Sequence, residues 1–237
     1  MKIKVQRYCT HRKPNPVVEV EYEIPLKEPT LLEALSYIKT NIDQTLTYSS
    51  GCRSEVCGSC AVRVNDKERL SCGYKLQDGD VITPLSKLSV IKDLVVEADV
   101  SFMTLVRTRA FLEKDRVVKQ SVEDEKLIER QSDCILCNSC FSSCPVLEVN
   151  KEFLGPFALT RVYRYVSDKR CEDEKQKIDL VQQNGIWDCT LCGECTAVCP
   201  QGIDPKMDIM NLRSKSTKYG YMDPSFAGGL DFGAPSF

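Results

Sequence analysis

Twelve of the fourteen cysteines in this 237-residue chain fall into three groups spaced as sulfur ligands are spaced. The first group is Cys52, Cys57 and Cys60 in "GCRSEVCGSC", with Cys72 in "LSC" beyond a short apolar run. A four-residue gap, a two-residue gap and a distant fourth thiol make the plant-type [2Fe-2S] spacing, in which a loop wraps two irons and turns its N–H groups toward sulfur. Gly51, Gly58 and Ser59 suit such a loop, because small residues let the main chain come close to a cluster and donate to it. A zinc knuckle is the competing use of four cysteines, and it prefers paired gaps of about two to four residues.

The second group is "DCILCNSCFSSCP", with Cys134, Cys137, Cys140 and Cys144 ahead of Pro145. The third is "DCTLCGECTAVCP", with Cys189, Cys192, Cys195 and Cys199 ahead of Pro200. Two such runs on one chain form the bacterial two-cluster pattern, in which the fourth cysteine of each run ligates the other run's cluster. The expected sets are therefore Cys134, Cys137, Cys140 and Cys199 for one [4Fe-4S] cluster, and Cys144, Cys189, Cys192 and Cys195 for the other. Without Cys192 the last set would hold [3Fe-4S]. Each crossing also staples segments some fifty residues apart, so the clusters are expected to be structural as well as redox-active.

Cys9 and Cys171 belong to no group and read as small buried hydrophobes. His11, the one histidine, sits beside "RKPNP" and reads as a solvated loop residue. Histidine-based acid–base catalysis is thereby excluded, and neither paired carboxylates nor a glycine-rich phosphate loop occurs in a motif context. The chain is built to carry electrons, with no catalytic residue of its own.

The elements that must hold these groups change character along the chain. Residues 2–8 and 17–24 alternate as half-buried strands do, with "KPNP" as the turn between them. "TLLEALSYIKTNI" reads as a helix capped by Thr30, with Leu31, Leu32, Leu35 and Ile38 on one face. "AVRVN" and "DVITPL" read as further short strands, giving a small mixed sheet crossed by one helix. After about residue 101, "SFMTLVRTRAFLEK", "SVEDEKLIERQS", "PFALTRVYRYVSD" and "EDEKQKIDLVQQ" have helical periodicity. The expected class is α+β: a [2Fe-2S] domain over residues 1–100, an all-α two-cluster domain over 101–216, and an aromatic-bearing tail over 217–237 that is disordered or laid as an arm on a partner.

The charges nearly cancel, 32 basic against 34 acidic, which leaves no footprint for nucleic acid. "MKIKVQRYC" carries no apolar signal core, and no stretch approaches the roughly 18 apolar residues of a membrane span, so membrane contact is expected through a partner.

A plant-type domain followed by a two-cluster helical domain, with "CRSEVCGSC", "FLGPFALTRVYRYVSDKR" and "CPQGIDP" along the way, resembles the iron–sulfur subunits of the succinate dehydrogenase and fumarate reductase family. The resemblance implies a β-grasp fold for the first domain. It also implies an FAD-containing flavoprotein partner that interconverts succinate and fumarate, and a quinone-linked membrane anchor. Location would be peripheral on the inner membrane of a prokaryote, on the cytoplasmic face or, if co-exported with a signal-bearing partner, the periplasmic one. Three positions depart from the best-known members: Cys192 replaces a non-ligand, Thr190 replaces a histidine, and "VLEVN" stands where tryptophans are usual, Trp187 being the one tryptophan present. These departures resemble the branch whose anchor is a cysteine-rich, heterodisulfide-reductase-like protein, as in methylmenaquinol-linked fumarate reductases. A relay for another flavoprotein dehydrogenase and a zinc-stabilised adaptor are the alternative readings.

Overall fold

The computed structural model describes residues 1–8, 16–113 and 117–226. Cys9, His11 and most of the "KPNP" turn lie outside these residues, as does the end of the tail.

Seven strands and ten α-helices are described. Strand β1 (Lys2–Tyr8) pairs antiparallel with β2 (Val17–Glu23), with Val5 opposite Val20. Helix α1 (Leu31–Tyr37) follows. Thr30 accepts from the Glu33 amide while the Glu33 carboxylate accepts from the Thr30 amide, a reciprocal cap that fixes the helix start. A wider π turn, Ile38–Ile42, extends the helix. Strands β3 (Ala61–Val64), β4 (Lys67–Leu70) and β5 (Val81–Thr83) complete a five-stranded sheet in the order β2-β1-β5-β3-β4, with β1 and β5 parallel. Apolar alternation buries Ile3, Val5 and Ile82 against Leu31, Leu35 and Ile38. A small ribbon of β6 (Val90–Lys92) and β7 (Val95–Val96) closes the first half.

The second half is helical: α2 (Asp99–Arg107), α3 (Val122–Lys126), α4 (Glu129–Ser132), α5 (Ser139–Ser142), α6 (Val146–Val149), α7 (Pro156–Val166), α8 (Glu174–Leu180), α9 (Glu194–Ala197) and α10 (Pro205–Thr217). Helix α7 is the hub. Pro156 opens it, where a missing N–H is harmless, and Phe157, Ala158, Leu159 and Val162 are buried among α10, α8, α4 and α2. The apolar core around α7 continues into the first half through Cys60, Ala61, Leu70, Leu85 and Leu88. The class is α+β, as the sequence led us to expect.

Several elements differ from the sequence reading. Strand β4, "KERL", pairs with β3 across a turn in which Asn65 and Asp66 both take positive φ. Its inward residues include Glu68, whose buried carboxylate hides the strand's apolar pattern. The run 121–132 breaks into α3 and α4, and the run from 101 ends as a helix at Arg107. Helix α10 escaped the reading although its signals are present: Asp204 caps the Met207 amide at 3.1 Å and Pro205 follows. Its apolar stripe is narrow, with Ile209 and Leu212 buried but Met207 and Met210 exposed. The tail's first residues pack on their own chain, the Tyr221 hydroxyl donating to Asp179 at 2.8 Å.

Candidate metal centres

The 51–60 loop turns its main chain inward. Arg53, Glu55 and Gly58 all adopt positive φ, and the resulting winding aims successive N–H groups at sulfur. The amides of Ser54, Val56 and Cys57 donate to Cys52 Sγ at 3.4, 3.3 and 3.3 Å. The Glu55 amide donates to Cys72 Sγ at 3.3 Å, and the Cys52 amide to Cys57 Sγ at 3.3 Å. Cys60 and Cys72 bring their sulfurs within 3.5 Å of each other. Cys72, from beyond β4, therefore meets the three cysteines of the 51–60 loop. Backbone donors hold the Cys52 thiol down at about 6, whereas burial pushes the Cys60 thiol up to about 11. The amide cradle is one that a sulfur-rich anionic group would use, and the chemistry of four thiols ringed by N–H donors fits an iron–sulfur centre.

The two later runs repeat one backbone device. Leu136 and Leu191 take φ of 52° and 57°, and Asn138 and Gly193, two residues on, take 63° and 87°. Each pair of left-handed residues reverses the chain ahead of a short helix, α5 or α9, whose first turn carries the third thiol, Cys140 or Cys195. Asparagine and glycine are the residues that tolerate this conformation best.

The fourth cysteine of each run lies with the other run. Cys199 joins Cys134, Cys137 and Cys140 around one apolar cavity of about 390 Å³, its opening to solvent included, with Phe157 and Ile203 also in its wall. Burial raises the thiols of Cys134 and Cys137 and puts Cys140 well above the ordinary range, with neighbouring cysteine sulfurs adding to the effect. Cys144 lies close enough to Cys189 and Cys192 to feel their charge, and Cys195 to feel Cys189, Cys144 and Cys192. The Cys195 thiol is pushed up to about 12, first by burial. The opening amides of α6, from Val146 and Leu147, point at Cys144 and partly offset its burial. Among the described residues, no three histidine, cysteine or carboxylate side chains converge tightly enough for a single ion. A lone tetrahedral zinc would draw four sulfurs to about 3.8 Å from one another, given zinc–sulfur bonds near 2.3 Å. A cluster spreads its ligands over a larger volume.

Cys171 stands apart from all three groups. It is half-buried, its thiol donating to Asp173 at 3.2 Å, so it is less enclosed than a small core hydrophobe would be.

The sequence reading singled out the cysteines but missed the scaffold around them. Arg213, on α10, donates to the carbonyls of Ile186 at 2.8 Å and Cys189 at 2.6 Å and lies over the Trp187 ring. Ser142 Oγ donates to the buried Glu68 at 2.7 Å and accepts from the Ser86 amide at 2.9 Å, tying the second group to the sheet. Neither follows from cysteine spacing, since each partner lies more than twenty residues away.

This architecture defines an electron-carrying protein with a ferredoxin-like half and a two-cluster helical half. Residues 2–103 match the 2Fe-2S iron–sulfur cluster binding domain model, and residues 130–203 match the 4Fe-4S dicluster domain model. The fumarate reductase iron–sulfur subunit of Escherichia coli is 34% identical over 234 residues, covering 92% of this chain and 93% of that protein. The 8-methylmenaquinol:fumarate reductase iron–sulfur subunit of Wolinella succinogenes is 35% identical over 212 residues, covering 82% and 66%. A chain of the Mycobacterium smegmatis Sdh1 complex in its apo form has the same fold, with a TM-score of 0.81, 19% identity and coverage of 93% and 97%. The chain belongs to the family of fumarate reductase and succinate dehydrogenase iron–sulfur subunits, and its cofactors are a [2Fe-2S] cluster and [4Fe-4S] clusters.

Proposed function

We propose that this chain is the electron-transfer subunit of a succinate dehydrogenase/fumarate reductase complex, placed between an FAD-containing dicarboxylate-oxidoreductase subunit and a quinone-linked membrane anchor. Cys52, Cys57, Cys60 and Cys72 hold [2Fe-2S] in this reading; Cys134, Cys137, Cys140 and Cys199 hold one [4Fe-4S]; Cys144, Cys189, Cys192 and Cys195 hold the second. The observation that carries the assignment is the crossing of Cys199, which stands in the wall of the Cys134–Cys140 cavity. Bound clusters supply one-electron chemistry, and the side chains around them do the rest. Loop amides compensate charge at the first group, the apolar wall of Phe157 and Ile203 excludes water at the second, and Arg213 pins the backbone leading into the third.

The domains run over residues 1–100 and 101–216, with the tail beyond. Among the described residues no helix is long and apolar enough to cross a membrane. In this reading membrane contact is made peripherally, through the anchor subunit. Cys192 is exposed, and Trp187, two residues before Cys189, lies under Arg213 with its indole N–H donating to Gln182 at 2.8 Å. The thiol of Cys192, with Thr190 and "VLEVN" where the best-known members carry histidine and tryptophans, favours a cysteine-rich anchor over a helical bundle that builds a quinone pocket against this chain.

Purification of the native complex tests the proposal. It should contain iron and acid-labile sulfide far in excess of zinc, a flavoprotein active on succinate or fumarate, and a cysteine-rich subunit. A flavoprotein partner inactive on both acids would overturn the assignment, and a helical haem-bearing anchor would overturn the branch.

A further inference from the structure

The first and second cysteine groups meet at a single glycine. Gly58 lies between Cys57 and Cys60, is buried, and has φ of +73°. A Cβ at this position would stand 2.7 Å from Cys137 Cβ, 2.9 Å from Cys137 Cα and 3.1 Å from the Ile135 carbonyl oxygen. Two of these three are backbone atoms, so relief would require the loops themselves to separate. The main chain of one ligand loop therefore touches the main chain of the next with only a hydrogen atom's width of side chain between them.

The surrounding bonds hold the loops at that approach. Gln201, two residues after Cys199, donates its side-chain amide to the Glu55 carbonyl at 3.0 Å. Ser86 Oγ and Lys87 Nζ both donate to the Ser142 carbonyl, at 2.8 and 2.7 Å, which ties the second run to the first half again. The two halves are thus bonded to each other at points besides the contact at Gly58.

We propose that Gly58 is a positioning residue that sets the distance between the first and second clusters. Electron tunnelling falls off exponentially with distance, and the dipolar coupling between two unpaired spins falls with its cube, so both quantities report a separation of the loops. The proposal rests on the ligand assignment above, and cluster content tests that assignment separately.

The test is performed on the purified complex, fully reduced, by measuring EPR relaxation of the [2Fe-2S] signal. The unmodified complex should show faster relaxation of that signal when the second cluster is also reduced and paramagnetic; equal relaxation in both states overturns the proposal. In Gly58→Ala the enhancement should be measurably weaker, with iron and sulfide content retained. Gly58→Asn carries the same Cβ on a residue that accepts a left-handed backbone, and should weaken the enhancement too, separating crowding from strain. Gly51→Ala is the control. Its Cβ would meet Cys57 Sγ at 2.8 Å and Ser59 Oγ at 2.9 Å, within the same loop, so it should alter the [2Fe-2S] line shape and keep the enhancement. Loaded Gly58 variants that retain the unmodified enhancement overturn the proposal, whereas missing clusters in the unmodified complex would count against the ligand assignment instead.

Discussion

The outer thiols of the first cysteine group, unlike its buried Cys60, are held in the opposite way to those of the second. In the 51–60 loop, Cys52 and Cys57 are exposed and the main chain supplies the stabilisation, with three amides on Cys52 Sγ alone. In the helical half the thiols of Cys134, Cys137 and Cys140 sit in an apolar cavity, and burial raises them. A loop that donates hydrogen bonds can accept negative charge before any metal arrives. A buried apolar pocket cannot, so its thiols give up protons only as metal replaces them. The difference teaches which half depends on its clusters for its fold: the sheet has its own core around Ile3, Leu35 and Ile82, whereas the helical core is continuous with the cysteines themselves.

The largest effect that would break this comparison comes from removing a crossing ligand. Cys199→Ser should cost both later clusters and the cooperative unfolding of the helical half, because it withdraws a ligand from the cavity and releases the 189–199 run from the 134–140 run. Cys52→Ser should impair only the [2Fe-2S] cluster, leaving the EPR signals and thermal unfolding of the helical half as they were. Iron content and calorimetry on both variants check the contrast. If Cys52→Ser unfolds the helical half to the same degree, the two halves are not built on different principles.

A second and smaller effect concerns burial without a cluster. Asp208 on α10 is 2% exposed and accepts from the Gln131 amide at 2.8 Å, with the buried Thr160 hydroxyl beside it. Burial raises its carboxyl to about 6 from an ordinary 3.8. Between those values the folded chain binds a proton that the unfolded chain has released, so stability falls as pH rises through the window. Above it the ionised carboxylate costs about 1–3 kcal/mol, the size expected for a shift of about two units. Asp208→Asn should therefore stabilise the helical half at pH 8, with the gain shrinking as pH is lowered through 6. Unfolding midpoints at the two pH values check the sign, and a gain that grows toward low pH would refute it.

The legibility of the molecule in its sequence follows the same division. Cysteine spacing is local, so the three groups stand out in the sequence as groups. The strands β1 and β2 and the helices α1 and α7 were readable too, because their alternation or apolar stripe faces a single core. What escaped depends on contacts distant in sequence. β4 hides its strand character behind buried Glu68, which Ser142 satisfies from 74 residues away. α10 lacks a broad apolar face because Arg213 and Asp208 serve neighbouring segments. Gly58 was legible as a loop glycine, but its meeting with Cys137 was not, since nothing local records which loop will lie opposite.

The smallest expected effect on folding belongs to the thiol that departs from the pattern of its own half. Cys192 is exposed, unlike Cys140, Cys144 and Cys195, and its run is already anchored by the buried Cys195 and by Arg213 on the Cys189 carbonyl. Its side chain contributes little to the helical core, so Cys192→Ser should leave thermal unfolding within about 0.5 kcal/mol of the parent, the range of surface substitutions. Its effect should instead fall on the third cluster, where withdrawal of one of four ligands leaves a site for three irons. An oxidised three-iron centre is paramagnetic and an oxidised [4Fe-4S] centre of this kind is silent, so the oxidised variant should gain an EPR signal that the parent lacks. Unchanged spectra would mean that Cys192 is not a ligand. A large loss of stability would mean that exposure is no guide to which thiols hold the helical half together.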